Sequence, residues 1–243
     1  MLLSDVVIVL SRPSEAGNVG AVCRAMKNFG LSRLRLTTPE YEGQESVIRA
    51  RAVHAVDLWE KVEYFDSLKG ATRDCTLVIG TTRRRGRNRK QVTMDPGEIA
   101  AFLAGHGGQA ALIFGNERTG LEDEEIALCN IASHIPVDEA FPSLNLSHAV
   151  QIYAYELFKA LAKAEQVKGQ WVPIDQKAIK EQVSEITANL QKLGFYKQAG
   201  RKEQERFFRD IFSRACITKN EAGYFSGLIH RAVQLVLKAQ GHH

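Results

Sequence analysis

Cysteine is scarce in this sequence of 243 residues: Cys23, Cys75, Cys129 and Cys216 are widely scattered, with no Cys-x-x-Cys pair and no histidines at ligand spacing. That distribution argues against both a disulfide framework and a zinc site, so no metal is expected and the thiols should be reduced. Long apolar runs are missing too. No stretch approaches the roughly 18 residues that a membrane-spanning helix needs, and the first residues lead into a short apolar strand, Val6–Leu10, without a leader pattern. The expectation is a cytoplasmic protein with no membrane partner. Nor does a G-x-G-x-x-G turn follow that first strand. The segment there is Ser-Arg-Pro-Ser-Glu-Ala-Gly-Asn-Val-Gly, which counts against a nicotinamide-dependent oxidoreductase. There is no internal repeat and no low-complexity tract.

What is present is an ordinary globular composition with an uneven charge. Hydrophobic residues make up 44% of the chain, enough for one large domain or a domain with a smaller appendage. The formal net charge is only +4, but six of the eight residues from Arg83 to Lys90 are basic while Glu122–Glu125 is wholly acidic. Cations crowded at that density repel one another unless a polyanion covers them. RNA phosphate is favoured there over a solvated surface loop.

Strand and helix periods alternate along the first two thirds of the chain. The pattern predicts strands at Val6–Leu10, Leu34–Leu36, Val62–Phe65, Thr76–Ile79, Ala110–Phe114 and His134–Val137. Between them it predicts helices at Val19–Phe29, closed by Gly30, and at Glu45–Ala52, His54–Trp59 and Ser67–Thr72. Further helices open at Asp95-Pro96, cover Asp123–Leu128 and run from about Asn145 to Ala164. Such alternation means an α/β fold, a parallel sheet with helices on both faces. Residues 1–164 read as that domain and 165–174 as a linker. Residues 175–243 read as a small all-helical extension, with helices at Ile174–Leu193, Arg201–Ala215 and Glu221–Lys238.

Two loops carry most of the chemical information. Ile113-Phe-Gly-Asn-Glu-Arg-Thr-Gly-Leu121 leaves a buried strand through a polar, glycine-bearing turn. Pro142-Ser-Leu-Asn-Leu-Ser147 runs serine and asparagine into a helix start, where unpaired N–H groups are available to a ligand. Near the N-terminus lies Asn18-Val-Gly-Ala-Val-Cys-Arg24. In this order the three segments resemble the motifs of the SpoU branch of the SPOUT RNA 2′-O-methyltransferases. The first motif is met by Asn18, Gly20 and Arg24. The second is met by Phe114, Gly115, Glu117, Gly120 and Leu121, and the third by Ser143, Leu144, Asn145 and Ser147. The resemblance covers about residues 1–160.

The resemblance implies S-adenosylmethionine as cofactor, a C-terminal trefoil knot in the catalytic domain, and a homodimer with the first motif close to the subunit boundary. It assigns the cofactor to three loops, here Thr81, Thr82 and Arg83, then Gly115, then Ile135 with Pro142, Ser143 and Leu144. The catalytic set it implies is Arg24, Asn18, Glu117, Ser143 and Asn145. Arg24 stands where the family has its catalytic arginine. A guanidinium has a pKa above about 12 and accepts no hydrogen bond, so it suits gripping the phosphate beside the target ribose and stabilising charge on the 2′-oxygen better than removing a proton. Asn18 and Glu117 are then left to position the ribose or to order Arg24.

A catalytic domain followed by a helical extension is similar to the layout of family members that methylate tRNA. That layout favours tRNA as partner and ribose 32 of the anticodon loop, cytidine or uridine, as target. Ribosomal RNA, another tRNA position and a non-catalytic RNA-binding homologue stay open. Candidate RNA contacts are Arg24, Arg84, Arg85 and Arg87, and in the extension Arg206 and Arg209, which lie beside the helix face Phe207, Phe208, Ile211 and Phe212. Whether those last helices bind substrate or only pack on the catalytic domain is open on the sequence.

Overall fold

The unbroken apolar run Val6–Ser11 forms β1, with every residue buried. A strand buried on both faces belongs in the interior of a parallel sheet. The computed structural model, which describes residues 1–83, 93–162, 172–196 and 200–239, places it there. The remaining strands are β2 (Arg33–Thr37), β3 (Glu63–Phe65), β4 (Leu77–Thr81), β5 (Thr93–Met94), β6 (Ala110–Phe114) and β7 (Ile131–Ser133). They pair in the order β3-β2-β1-β6-β4-β7-β5, parallel throughout. The register sets Leu10 beside Phe114 and Thr81 beside Ser133, so β1, β4, β6 and β7 end on one edge of the sheet.

Alternate residues feed two cores. Ile8, Leu10, Leu112 and Phe114 face one layer, and Val7, Val9, Ala111 and Ile113 the other. The first layer is built from α1 (Ala16–Asn28), α2 (Glu45–Ala52), α3 (Val56–Trp59), α5 (Pro96–Ala104) and α7 (Leu146–Leu161). The second is thinner, with α4 (Leu68–Ala71) and α6 (Asp123–Leu128). Helix ends follow local chemistry. Asp95 and Glu98 make a capping box around Pro96 at the start of α5, and α1 stops where Gly30 takes φ +70° and Leu31 N–H returns to the Met26 carbonyl at 3.0 Å.

The strand expected at His134–Val137 begins three residues earlier, at Ile131–Ser133. Pro136 has no N–H to give a ladder, whereas Ile131, Ala132 and Ser133 are fully buried and pair with β4. Two-residue β5 was not expected, because its pairing is supplied by β7 rather than by any period of its own. Arg84, Arg85 and Arg87 lie outside the described residues, as does most of the expected linker.

After Pro173 come α8 (Gln176–Lys192), α9 (Arg201–Ala215) and α10 (Lys219–Ala239), which share a core of Ile179, Val183, Ile186 and Phe212. Their junction with the sheet is polar. Asn130 Oδ1 accepts from Val78 N–H at 2.8 Å and from Gln176 Nε2 at 2.9 Å, while its amide donates to Ser213 Oγ at 2.8 Å. Gln176 also donates to the carbonyls of Cys75 and Thr76. Among the described residues no helix is long and apolar enough to cross a membrane, and no group of three or more His, Cys, Asp or Glu could hold a metal ion.

Candidate active site

Loops leaving the carboxyl ends of parallel strands surround a ready-made crevice, because the helices that follow diverge to opposite faces. Here the loops after β4, β6 and β7 enclose a cleft of about 180 Å³. It is lined by Thr81, Thr82 and Arg83, by Gly115 with Glu117, and by Ile135, Pro142, Ser143 and Leu144. Every candidate cofactor residue thus falls on one cavity. Asn116, next to Gly115, lines it too, as do His134 and Tyr153, which were not anticipated.

The wall at β6 is backbone against backbone. A side chain on Gly115 would bring its Cβ to 2.2 Å from the Gly120 carbonyl carbon and 2.3 Å from Leu121 nitrogen, so only glycine fits. Gly120, at φ +71°, turns the chain back and closes the loop with its N–H on the Asn116 carbonyl at 2.8 Å. Asn116, 4% exposed, braces the turn from inside, accepting from the N–H groups of Arg118 and Thr119 and donating to the Arg12 carbonyl at 2.7 Å. Its only sequence signal is its place between two motif residues.

Glu117 joins the second motif to the first. Its carboxylate accepts from Ser14 N–H at 2.9 Å, Ser14 Oγ at 2.8 Å, Glu15 N–H at 3.3 Å and Asn18 Nδ2 at 3.1 Å. Those backbone groups precede the first turn of α1, whose cap residue Glu15 supplies no side-chain cap of its own. The carboxylate therefore does a capping residue's work from a distant loop, with the helix dipole in its favour. Burial pushes the Glu117 pKa up, but the Ser14 amide and the Asn18 amide outweigh it and leave the carboxyl below its ordinary range.

Asn18 continues the chain of bonds. Its Oδ1 accepts from Asn145 Nδ2 at 2.9 Å, while Asn145 Oδ1 caps α7 through Ser147 N–H at 2.9 Å and Ser147 Oγ at 2.8 Å. One residue from each of the three motifs is thereby linked in series, Glu117 to Asn18 to Asn145, along one side of the cleft. Gly20 has a separate duty. A Cβ there would meet the Ile48 carbonyl oxygen at 2.3 Å, so its glycine lets α2 lie directly on α1.

Arg24 is not part of this set. Six residues beyond Asn18 it lies about 9 Å along the helix and well around its circumference. It is exposed, and it does not line the cleft. Among the described residues of one chain, Glu117 bonds Asn18 and not Arg24. The neighbouring Cys23 is inert, its thiol pushed up to about 12 by burial. In the helical extension Arg206 is exposed, with Asp210 at 4.0 Å. Arg209, a candidate RNA contact, is half-buried and donates to the Ala127 carbonyl at 3.3 Å, which ties α9 to α6.

Residues 5–155 match the model of the SpoU rRNA Methylase family. The chain belongs to that family. Among relatives with full-length similarity, the tRNA (cytidine/uridine-2′-O-)-methyltransferase TrmJ of Pectobacterium atrosepticum is 32% identical over 94% of this chain and 96% of its own. The tRNA (cytidine-2′-O-)-methyltransferase TrmJ of Methanocaldococcus jannaschii is 30% identical over 88% of this chain and 94% of its own. A crystal structure of TrmJ from Z. mobilis superposes with a TM-score of 0.74 at 28% identity, covering 93% of this chain and 98% of that one. The similarity to these TrmJ proteins runs past the SpoU segment into the helical extension.

Proposed function

We propose that this SpoU methylase is a tRNA ribose 2′-O-methyltransferase that uses S-adenosylmethionine and acts on nucleotide 32 of the anticodon loop. The observation that carries the reading is the hydrogen-bonded series Glu117–Asn18–Asn145 running beside the cleft built on Gly115. The residues fit the cofactor. Gly115 lets the loop close tightly on itself at the cleft wall, Thr81 and Thr82 bring hydroxyls, and Ile135 and Leu144 supply apolar cover. When bound, S-adenosylmethionine would supply an electrophilic methyl group on its sulfonium for a ribose 2′-hydroxyl.

What the chain itself contributes is alignment. Asn18, held at its amide by the cleft-lining Glu117 and at its carbonyl by Asn145, is restrained beside the cleft without lining it, while Ser143 lines it and is exposed. Arg24, unpaired among the described residues, is free for a phosphate. Its distance from the cleft lining fits a homodimer with the first motif at the subunit boundary. Light scattering at micromolar concentration should give twice the monomer mass, and an active monomer would refute the dimer. The same reading takes the three cofactor loops to belong to a trefoil knot, makes the C-terminal helices a tRNA-facing extension, and sets the enzyme in the cytoplasm.

The test is to incubate the protein with labelled S-adenosylmethionine and tRNA from a strain lacking the gene, then map the modified nucleotide. Label at ribose 32 supports the proposal. Label at another tRNA position or only in ribosomal RNA replaces the target, and no transfer to any RNA refutes the activity.

A further inference from the structure

Arg12 lies directly after β1 and belongs to none of the three motifs, yet it grips the second motif's loop at both ends. Its carbonyl accepts from Asn116 Nδ2 at 2.7 Å at the start of the turn, and its Nη2 donates to the Gly120 carbonyl at 3.3 Å at the end. The guanidinium is anchored in turn by Glu122 at 3.0 Å and Glu125 at 2.8 Å, at the head of α6. Ser11 Oγ donates to the same Glu125 carboxylate. On the far side, Arg12 N–H donates to the Thr37 carbonyl at the end of β2, at 2.9 Å. The backbone reaches these partners only by taking φ +51°, a conformation L side chains avoid. A strained residue is retained where its surroundings over-determine it, and here they do so from three elements.

We propose that Arg12 is a positioning residue for the cofactor pocket: its forked head and its carbonyl hold the Gly115–Leu121 turn closed from behind, and so shape the wall on which the cofactor lies. This rests on the reading that the cleft takes S-adenosylmethionine. Part of the acidic run Glu122–Glu125 then has a purpose other than solubility, since Glu122 and Glu125 hold the clamp. A lysine would supply one point charge and lose the fork that reaches the Gly120 carbonyl, Glu122 and Glu125 together. Arg12 does not line the cleft itself, so its effect passes through the lining residues Asn116 and Gly120.

The full-length protein is compared with its Arg12→Gly, Arg12→Ala and Arg12→Lys variants. Glycine relieves the φ +51° backbone and removes the guanidinium arm of the clamp while keeping the main-chain carbonyl that Asn116 bonds, which separates strain from the side chain's grip. Arg12→Gly should keep a Tm at or above that of Arg12→Ala, while both weaken S-adenosylmethionine binding in calorimetry by about tenfold. Arg12→Lys should fall between them and wild type. KM for the cofactor should rise in parallel, with kcat at saturating cofactor changing less. Arg35→Ala serves as the structural control. It breaks the pair of buried Arg35 with Asp74, which ties β2 to the segment before β4, and should lower Tm while leaving cofactor KM unchanged. Wild-type affinity in Arg12→Gly overturns the proposal, as does an equal affinity loss in Arg35→Ala. If wild-type protein itself fails to bind S-adenosylmethionine, the reading of the cleft is wrong, and the clamp is then judged by amide exchange at Arg118, Thr119 and Gly120. Exchange about tenfold faster in Arg12→Gly supports the clamp, and unchanged exchange overturns it.

Discussion

At the residue scale, the motif side chains divide into those whose partners the fold supplies and one whose partner it does not. Glu117, Asn18 and Asn145 satisfy one another, whereas Arg24 projects from α1 into solvent. Arg24→Ala should therefore abolish methyl transfer while leaving S-adenosylmethionine affinity within about threefold of wild type, since no cleft-lining group touches it. A variant that retains most of its turnover removes Arg24 from the mechanism. Glu117 makes a prediction in pH. Its folded pKa lies below the ordinary value of 4.5, so its stabilisation is fully present above that value and is lost as acid protonates the carboxylate below it. At neutral pH, Glu117→Gln should be about 1–2 kcal/mol less stable, because an amide cannot accept from all four donors that converge on the carboxylate. The gap between variant and wild type in thermal melts should narrow as pH falls below 4.5, and a gap independent of pH would mean that the charge is not what holds the loops together.

At the element scale, most boundaries were legible because the periods that mark them are local. The period of Val19, Val22, Cys23 and Met26 places α1, and the box of Asp95 and Glu98 places the start of α5. The exception is informative. The segment His134–Val137 has strand composition, yet β7 forms at Ile131–Ser133, because Pro136 interrupts any ladder and burial against β4 selects the upstream residues. That shift leaves His134 and Ile135 past the end of the sheet, where they line the cleft. The basic loop yields a prediction from its charge alone. Neutralising Arg84, Arg85 and Arg87 should weaken tRNA binding and flatten its salt dependence, the log–log slope shrinking by about 0.7 to 0.9 for each phosphate that is no longer neutralised. An unchanged slope would make the loop a solvated surface.

At the scale of the whole molecule, the junction of the helical extension with the sheet matters most. It is a polar hub, Asn130 with Gln176 and Ser213, placed just upstream of β7 and beside the start of β4, the strands that lead into two walls of the cleft. Deleting residues 165–243 should leave the cofactor cleft folded, with S-adenosylmethionine binding retained, and lower tRNA affinity and methylation. A truncated dimer that binds tRNA equally well across salt and methylates it at the full-length rate would reduce the extension to packing. The polar hub also explains why the sequence left the extension's role open. An amphipathic helix advertises its apolar face, but nothing in the spacing of Asn130, Gln176 and Ser213 announces that they meet.

The sequence by itself determined the α/β alternation, the parallel sheet and the three motifs with their order. Each of these depends on residues within one or two turns or strands of one another, where period and composition are sufficient. The tertiary structure alone decided that Glu117 caps α1 and holds Asn18, that Asn116 and Arg12 brace the motif loop, and that Arg24 stands apart from both. The physical reason is range. These bonds join residues about a hundred positions apart, brought together only because parallel strands end on one edge, and a hydrogen bond across that distance leaves no trace in either partner's neighbourhood along the chain.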